Sequence, residues 1–132
     1  VKHLAIFKGD GAEKILSGEK TIESRFSKRK TPPFGAISSG DLVYIKPSGQ
    51  DIIGQFRVKK VIFYDGLDLG EIREKYGKEL ALDESYWKGK EKCRYGTLIF
   101  IGDCTTFITS PIKLRKKDLR GWVVLDKRPL SM

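Results

Sequence analysis

The stretch Gly18-Glu19-Lys20-Thr21-Ile22-Glu23-Ser24-Arg25 limits the fold of this chain more than any other. A run of helix formers, Ala12 to Ser17, meets a glycine and passes at once into residues of strand character. Ile15 and Leu16 supply the apolar patch of a short helix, and Gly18 falls where a helix ends on a left-handed residue. Side chains alternate along a strand, so Glu23 and Arg25 share a face with Thr21, while Ile22 and Phe26 point the other way, into a core. On chemistry alone this is an edge strand carrying a solvated ion pair of little energetic weight.

Similar reasoning orders the rest. Leu4–Phe7 reads as a first strand buried on both sides, and Lys8–Gly11 as a turn. Asp10 is placed to cap the helix, with Glu13 three residues on, as in a capping box. Ser27 to Ser39 is a loop, since Pro32 and Pro33 lack amide donors. Leu42–Lys46 and Ile52–Tyr64 form a hairpin, the second strand alternating Phe56, Val58 and Ile62 with Gln55, Arg57 and Lys59. Leu67–Leu80 is the clearest helix, capped by Asp68, with Leu69, Ile72, Tyr76 and Leu80 at helical spacing. Asp83–Arg94 is irregular. Tyr95–Ile101 is a central strand, Gly102-Asp103 a turn, Cys104–Thr109 a returning strand, and Gly121–Leu125 a last strand. The expected class is α+β, mostly β.

A chain of 132 residues is one domain by size, with a core over about 3–110 and a basic extension over about 111–132. No stretch approaches the roughly 18 apolar residues of a membrane span. The segment from Val1 to Lys8 is too short and too soon charged for a secretory signal, so the simplest location is cytoplasmic. Cys93 and Cys104 lack zinc-site spacing and the chain has one histidine, His3, so no metal or other cofactor is expected, and the thiols read as free and mostly buried. A nucleophilic triad would have to use His3, which opens a strand.

The formal charge is +9, and it is unevenly spread. Residues 20–30 hold five basic side chains (Lys20, Arg25, Lys28, Arg29, Lys30) and one acid, Glu23. The tail beyond residue 110 holds seven, among them Arg115, Lys116 and Lys117, against Asp118 and Asp126. Such patches raise the local concentration of polyanions. Arginine forks and lysine point charges suit phosphate oxygens. Tyr86 and Trp87, adjacent in a Lys-rich loop, suit either base stacking or plugging one end of a barrel; Phe34 likewise suits stacking or packing under its loop.

The pattern Gly-x-Lys-x-x-Glu-x-Arg at Gly18, Lys20, Glu23 and Arg25 resembles the signature of the ASCH domain family, relatives of the PUA domains of RNA-modifying proteins. Gly40-Asp41-Leu42-Val43 and Tyr95–Phe100 extend the resemblance over roughly residues 3–102. It implies a PUA-like small β-barrel with two or three short helices and a cleft lined by the motif. It also implies an RNA, nucleotide or nucleoside ligand. Some small bacterial members look like amidohydrolases of N4-acylated cytidine, and others resemble ribonucleases. Lys20 matches the amidohydrolase lysine, but Glu23 stands where their threonine nucleophile would be. Their downstream glutamate has no firm match, Glu74 and Glu84 being only nearby.

Three roles for the motif stay open on the sequence. Glu23 acts as general base on a water while Lys20 or Arg25 stabilises an oxyanion. Glu23 accepts from a base edge while Lys20 and Arg25, with Lys28–Lys30, Tyr86, Trp87 and Arg115–Lys117, hold the ligand. Or Glu23 and Arg25 simply pair to close the barrel mouth.

Overall fold

A computed structural model describes residues 1–109 and 121–125. Its elements are β1 (Lys2–Phe7), α1 (Gly11–Ser17), β2 (Ile22–Ser27), β3 (Leu42–Pro47), β4 (Gly54–Asp65), α2 (Leu69–Leu80), α3 (Glu84–Gly89), β5 (Tyr95–Thr106) and β6 (Trp122–Val124). The strands form one sheet in the order β2-β5-β4-β3-β1-β6, curled into half a barrel. This is a mostly-β, α+β, PUA-like fold with three short helices. No helix of the described residues is long and apolar enough to cross a membrane.

Each of the six strands pairs antiparallel with at least one neighbour, and only β1 and β3 run parallel to each other. A parallel pair needs a crossover, and here that connection carries α1 and the motif strand. β2 is therefore laid at the sheet's far edge, while β1 sits near the other. The half barrel is open between these two edges, and the motif faces the opening.

The alternation of β1 explains its burial on both sides. Ala5 and Phe7 join Val43, Ile45, Phe56, Ile99 and the helix residues Ala12 and Ile15 in one cluster. Leu4 and Ile6 join Tyr44 and Ile52 in another. A third cluster packs Ile22, Phe26 and Leu98 beneath α2 and α3, through Ile72, Leu80 and Trp87. Burying such side chains at about 25 cal/mol per Å² supplies the main drive to fold.

Caps and breaks show where local chemistry decided the outcome. Gly18 ends α1 with φ +86°, its amide donating to the Ile15 carbonyl. The Asp68 side chain caps α2, accepting from the Glu71 amide at 3.0 Å. Asp10 stands at the N-cap of α1, but its side chain makes no capping hydrogen bond and pairs instead with Lys14 at 3.6 Å. The segment after Asp83 is not irregular throughout: Asp83 accepts from the Tyr86 amide at 2.9 Å and starts the six-residue α3. Nor does Gly102-Asp103 turn the chain, because β5 runs unbroken through it. A Cβ on Gly102 would lie 2.9 Å from the Arg57 carbonyl oxygen, so the glycine admits the irregular stretch of β4, where the register shifts between Phe56, Val58 and Lys60.

Candidate functional site

The motif is held from three sides. The Lys20 amide donates to the Lys14 carbonyl at 3.0 Å, and the Thr21 amide to the Glu79 carbonyl at 3.0 Å, which ties the entry of β2 to α1 and α2. The Lys20 ammonium donates to the Leu80 carbonyl, and Lys14 to the Ala81 carbonyl at 2.9 Å. Two lysines thus stand at the C-terminus of α2, where the helix dipole favours positive charge.

Lys20 and Glu23 are both dry, with side chains 3% and 7% exposed and 3.6 Å apart. Burial pushes the Lys20 pKa below its ordinary value; Glu23 pulls it back up, and Lys14 and Arg25 add smaller repulsions. The other Glu23 oxygen accepts from Arg25 Nε at 2.8 Å.

Arg25 spans the gap in the half barrel. Its two terminal nitrogens donate to the Gly121 carbonyl at 3.1 Å and the Ile6 carbonyl at 3.3 Å. The guanidinium lies over Phe7 at 4.9 Å and Trp122 at 5.2 Å. One side chain of β2 therefore fastens to β1 and to the residue preceding β6. Trp122 is fixed in turn: its indole N–H donates to His3 Nδ1 at 3.1 Å, so the His3 proton sits on Nε2 and is given to Asp41 at 2.8 Å. Burial raises the Asp41 pKa, but its hydrogen bonds from His3 and the Ser38 amide outweigh that and hold it below the usual value.

A cleft of about 550 Å³ opens beside this network. Lys20, Glu23, Ser24 and Arg25 line one wall, Lys8 and Asp10 the β1–α1 turn, and Pro32, Pro33, Tyr86 and Lys90 the remainder. Burial, then the nearby Glu23 charge, push the Tyr86 phenol up to about 12, so it is a neutral donor. The Ser24 hydroxyl next to it relieves this slightly, yet is buried and reaches hydrogen-bond geometry with no partner.

The other expected residues are more dispersed. Trp87 is in the core, with its ring against Phe26 and under Arg73, and does not line the cleft. Lys28, Arg29 and Lys30 are exposed between Ser27 and Thr31, which do line it. Phe34 packs edge-on against Phe63 and Tyr95. Glu74 is exposed, and Glu84 is exposed and paired with Arg73 away from the cleft. Arg115, Lys116 and Lys117 lie outside the described residues. Cys93 and Cys104 are free, but Cys104 is exposed rather than buried, because it sits in the solvated end of β5. Among the described residues no group of three or more His, Cys, Asp or Glu is placed to hold a metal.

Sequence reasoning missed Lys14, Ser24 and the Asp41–His3–Trp122 chain. The only signal for the last was a histidine inside an apolar strand. Its partners lie 38 and 119 residues away.

No protein-family model matches the chain, and no curated protein matches it. Solved structures do. A tyrosine-to-phenylalanine mutant of the ASCH protein from Zymomonas mobilis superposes with TM-score 0.74 at 20% identity, covering 96% of this chain and 91% of that one. A serine-to-alanine mutant of the same protein gives 0.74 at 19%, covering 96% and 89%. Another crystal structure of ASCH from that organism gives 0.62 at 21%, covering 77% and 67%. The superpositions show that the fold of this chain is that of the ASCH domain structures.

Proposed function

We propose that the cleft binds a nucleoside unit of RNA, or a nucleotide, with the motif reading the base and the surrounding cations holding phosphate. The observation that carries this reading is the composition of the wall: a buried lysine, a carboxylate and an arginine around a volume of about 550 Å³. That volume is in the range of small-molecule sites, roughly 300–1,000 Å³. Glu23 stands 3.6 Å from the Lys20 nitrogen, which leaves lone pairs for a base N–H. The Tyr86 phenol supplies a neutral donor and a ring face. Lys8, Lys14 and Lys90 also line the cleft and suit phosphate oxygens. The exposed Lys28–Lys30 loop and the basic residues Arg115–Lys117 extend the expected contacts along a backbone. Two unpaired thiols fit a reducing, cytoplasmic setting.

The test is fluorescence anisotropy with single-stranded RNA at two salt concentrations, for wild type and Lys20→Ala. Affinity is expected to fall steeply with salt and to weaken in the variant while its fold is retained. Salt-independent binding, or binding that ignores the substitution, overturns the reading.

One observation favours a second reading, hydrolysis of an acylated nucleoside or of RNA. A desolvated lysine whose pKa is lowered gives up its proton more readily than an exposed one, which suits proton transfer. Turnover of N4-acylated cytidine that disappears in Lys20→Met and in Glu23→Gln, with binding retained in the latter, would support it; no turnover sinks it.

A further inference from the structure

Phe63 is 41% exposed and is the one exposed aromatic side chain among the described residues. It lies opposite Thr97 in the β4–β5 ladder, and Thr97 lies opposite Arg25 in the β5–β2 ladder. Residues directly opposite one another share a face of the sheet. Phe63 is therefore in the same row as the motif arginine, two strand spacings or roughly 10 Å away.

The ring has company. Phe34 packs edge-on against Phe63 at 5.4 Å and against Tyr95 at 5.3 Å. Lys30 and Arg94 stand over the Tyr95 ring at 5.7 and 5.4 Å. Asp65, opposite Tyr95 in register, is neutralised by Arg94 at 3.1 Å. The loop that carries Lys30 and Phe34 also contributes Thr31 and Pro33 to the cleft wall. It thus contributes residues to both the cleft and the aromatic group.

One exposed ring, Phe63, beside a half-buried Tyr95 flanked by cations is a small target for a protein, whose binding surfaces have a broad apolar centre with charges kept to the rim. Rings flanked by cations are what single-stranded nucleic acid uses, stacking a base and neutralising its phosphates. We propose that Phe63 and Tyr95, with Lys30 and Arg94, form a second subsite that stacks a nucleotide flanking the one in the cleft. The ligand is then a single strand of RNA rather than a free nucleoside. This rests on the reading of the cleft given above.

The experiment uses a fluorescein-labelled seven-nucleotide RNA containing 4-thiouridine, with wild type, Phe63→Ser, Phe63→Tyr and Lys20→Ala. Phe63→Ser is expected to weaken binding about tenfold, the loss of one stacked base. Phe63→Tyr keeps the ring face and restores affinity. Irradiation should cross-link the probe to peptides holding Phe63 or Tyr95. Lys30→Ala should lower the slope of log affinity against log salt by about one phosphate contact. Equal affinity in Phe63→Ser, cross-links confined elsewhere, or no binding of the probe overturns the second subsite. A loss in Phe63→Ser with none in Lys20→Ala keeps the subsite and removes the cleft; the converse removes the subsite and keeps the cleft.

Discussion

Two ion-paired groups in this molecule look alike on a list of distances and differ in every consequence. Arg73 and Glu84 form a two-pronged pair at 3.0 and 2.5 Å, yet their side chains are 45% and 75% exposed. Lys20, Glu23 and Arg25 are in contact at 3.6 and 2.8 Å, no tighter as a group, and the lysine and carboxylate are almost dry. Water screens the first pair and can replace either partner. In the second, each ion was desolvated on folding and depends on the others and on fixed carbonyls. Exposure, not the length of a bond, decides which charges the fold relies on and which ones stand ready for a ligand.

Removing the shared carboxylate should break that contrast most sharply. Glu23→Ala leaves Lys20 and Arg25 without their counter-charge, and a cost of about 3–5 kcal/mol is expected. Urea denaturation measures it, and a change below about 1 kcal/mol would mean the triad is as well solvated as the surface pair. Arg25→Lys keeps the charge and loses the fork that reaches Ile6 and Gly121. About 1–3 kcal/mol should go, and hydrogen exchange should show the amides of β6 opening ahead of those of β4. Uniform protection in the variant would deny the arginine its bridging role.

The pH dependence of Lys20 is subtler. Its folded pKa lies below the unfolded value, so between the two the unfolded chain binds more protons, and stability rises with pH across that window. Burial is the cause. Relative to Lys20→Met, the wild-type melting temperature should therefore gain ground as pH climbs toward 10.5, and a flat difference would contradict the desolvation. At the small end, Arg73→Ala should leave the denaturation midpoint where it was. A measurable loss would show that the exposed pair contributes after all.

The same contrast explains what was legible in the sequence. Alternation placed Glu23 and Arg25 on one face and Ile22 and Phe26 on the other, and the ladder keeps both assignments. Gly18, Asp68 and the hairpin were readable because caps and turns are decided within a few residues. Burial of the motif was not readable: the stretch has the composition of a solvated edge, and only α2 and β1, folded against it, make it dry. Trp87 shows the same limit. A Trp beside a Tyr in a Lys-rich segment does not reveal which of the two faces the cleft until α3 fixes their directions. The unbroken β5 was hidden by Gly102-Asp103, a good turn sequence that serves here to let another backbone pass. Long-range partners such as His3 and Trp122 leave almost no local trace.

The placement of β6 also bears on how the chain is made. β1 holds residues 2–7, yet among the described residues its outer edge is covered by residues 121–125, whose pairing closes a loop of more than a hundred residues. Loop closure that long is entropically costly, and domains are synthesised at about 5–20 residues per second. Of the strands in this sheet, the first to be synthesised is thus among the last to be sealed. For several seconds it presents Leu4, Ile6 and an unpaired backbone edge to whatever else is nearby.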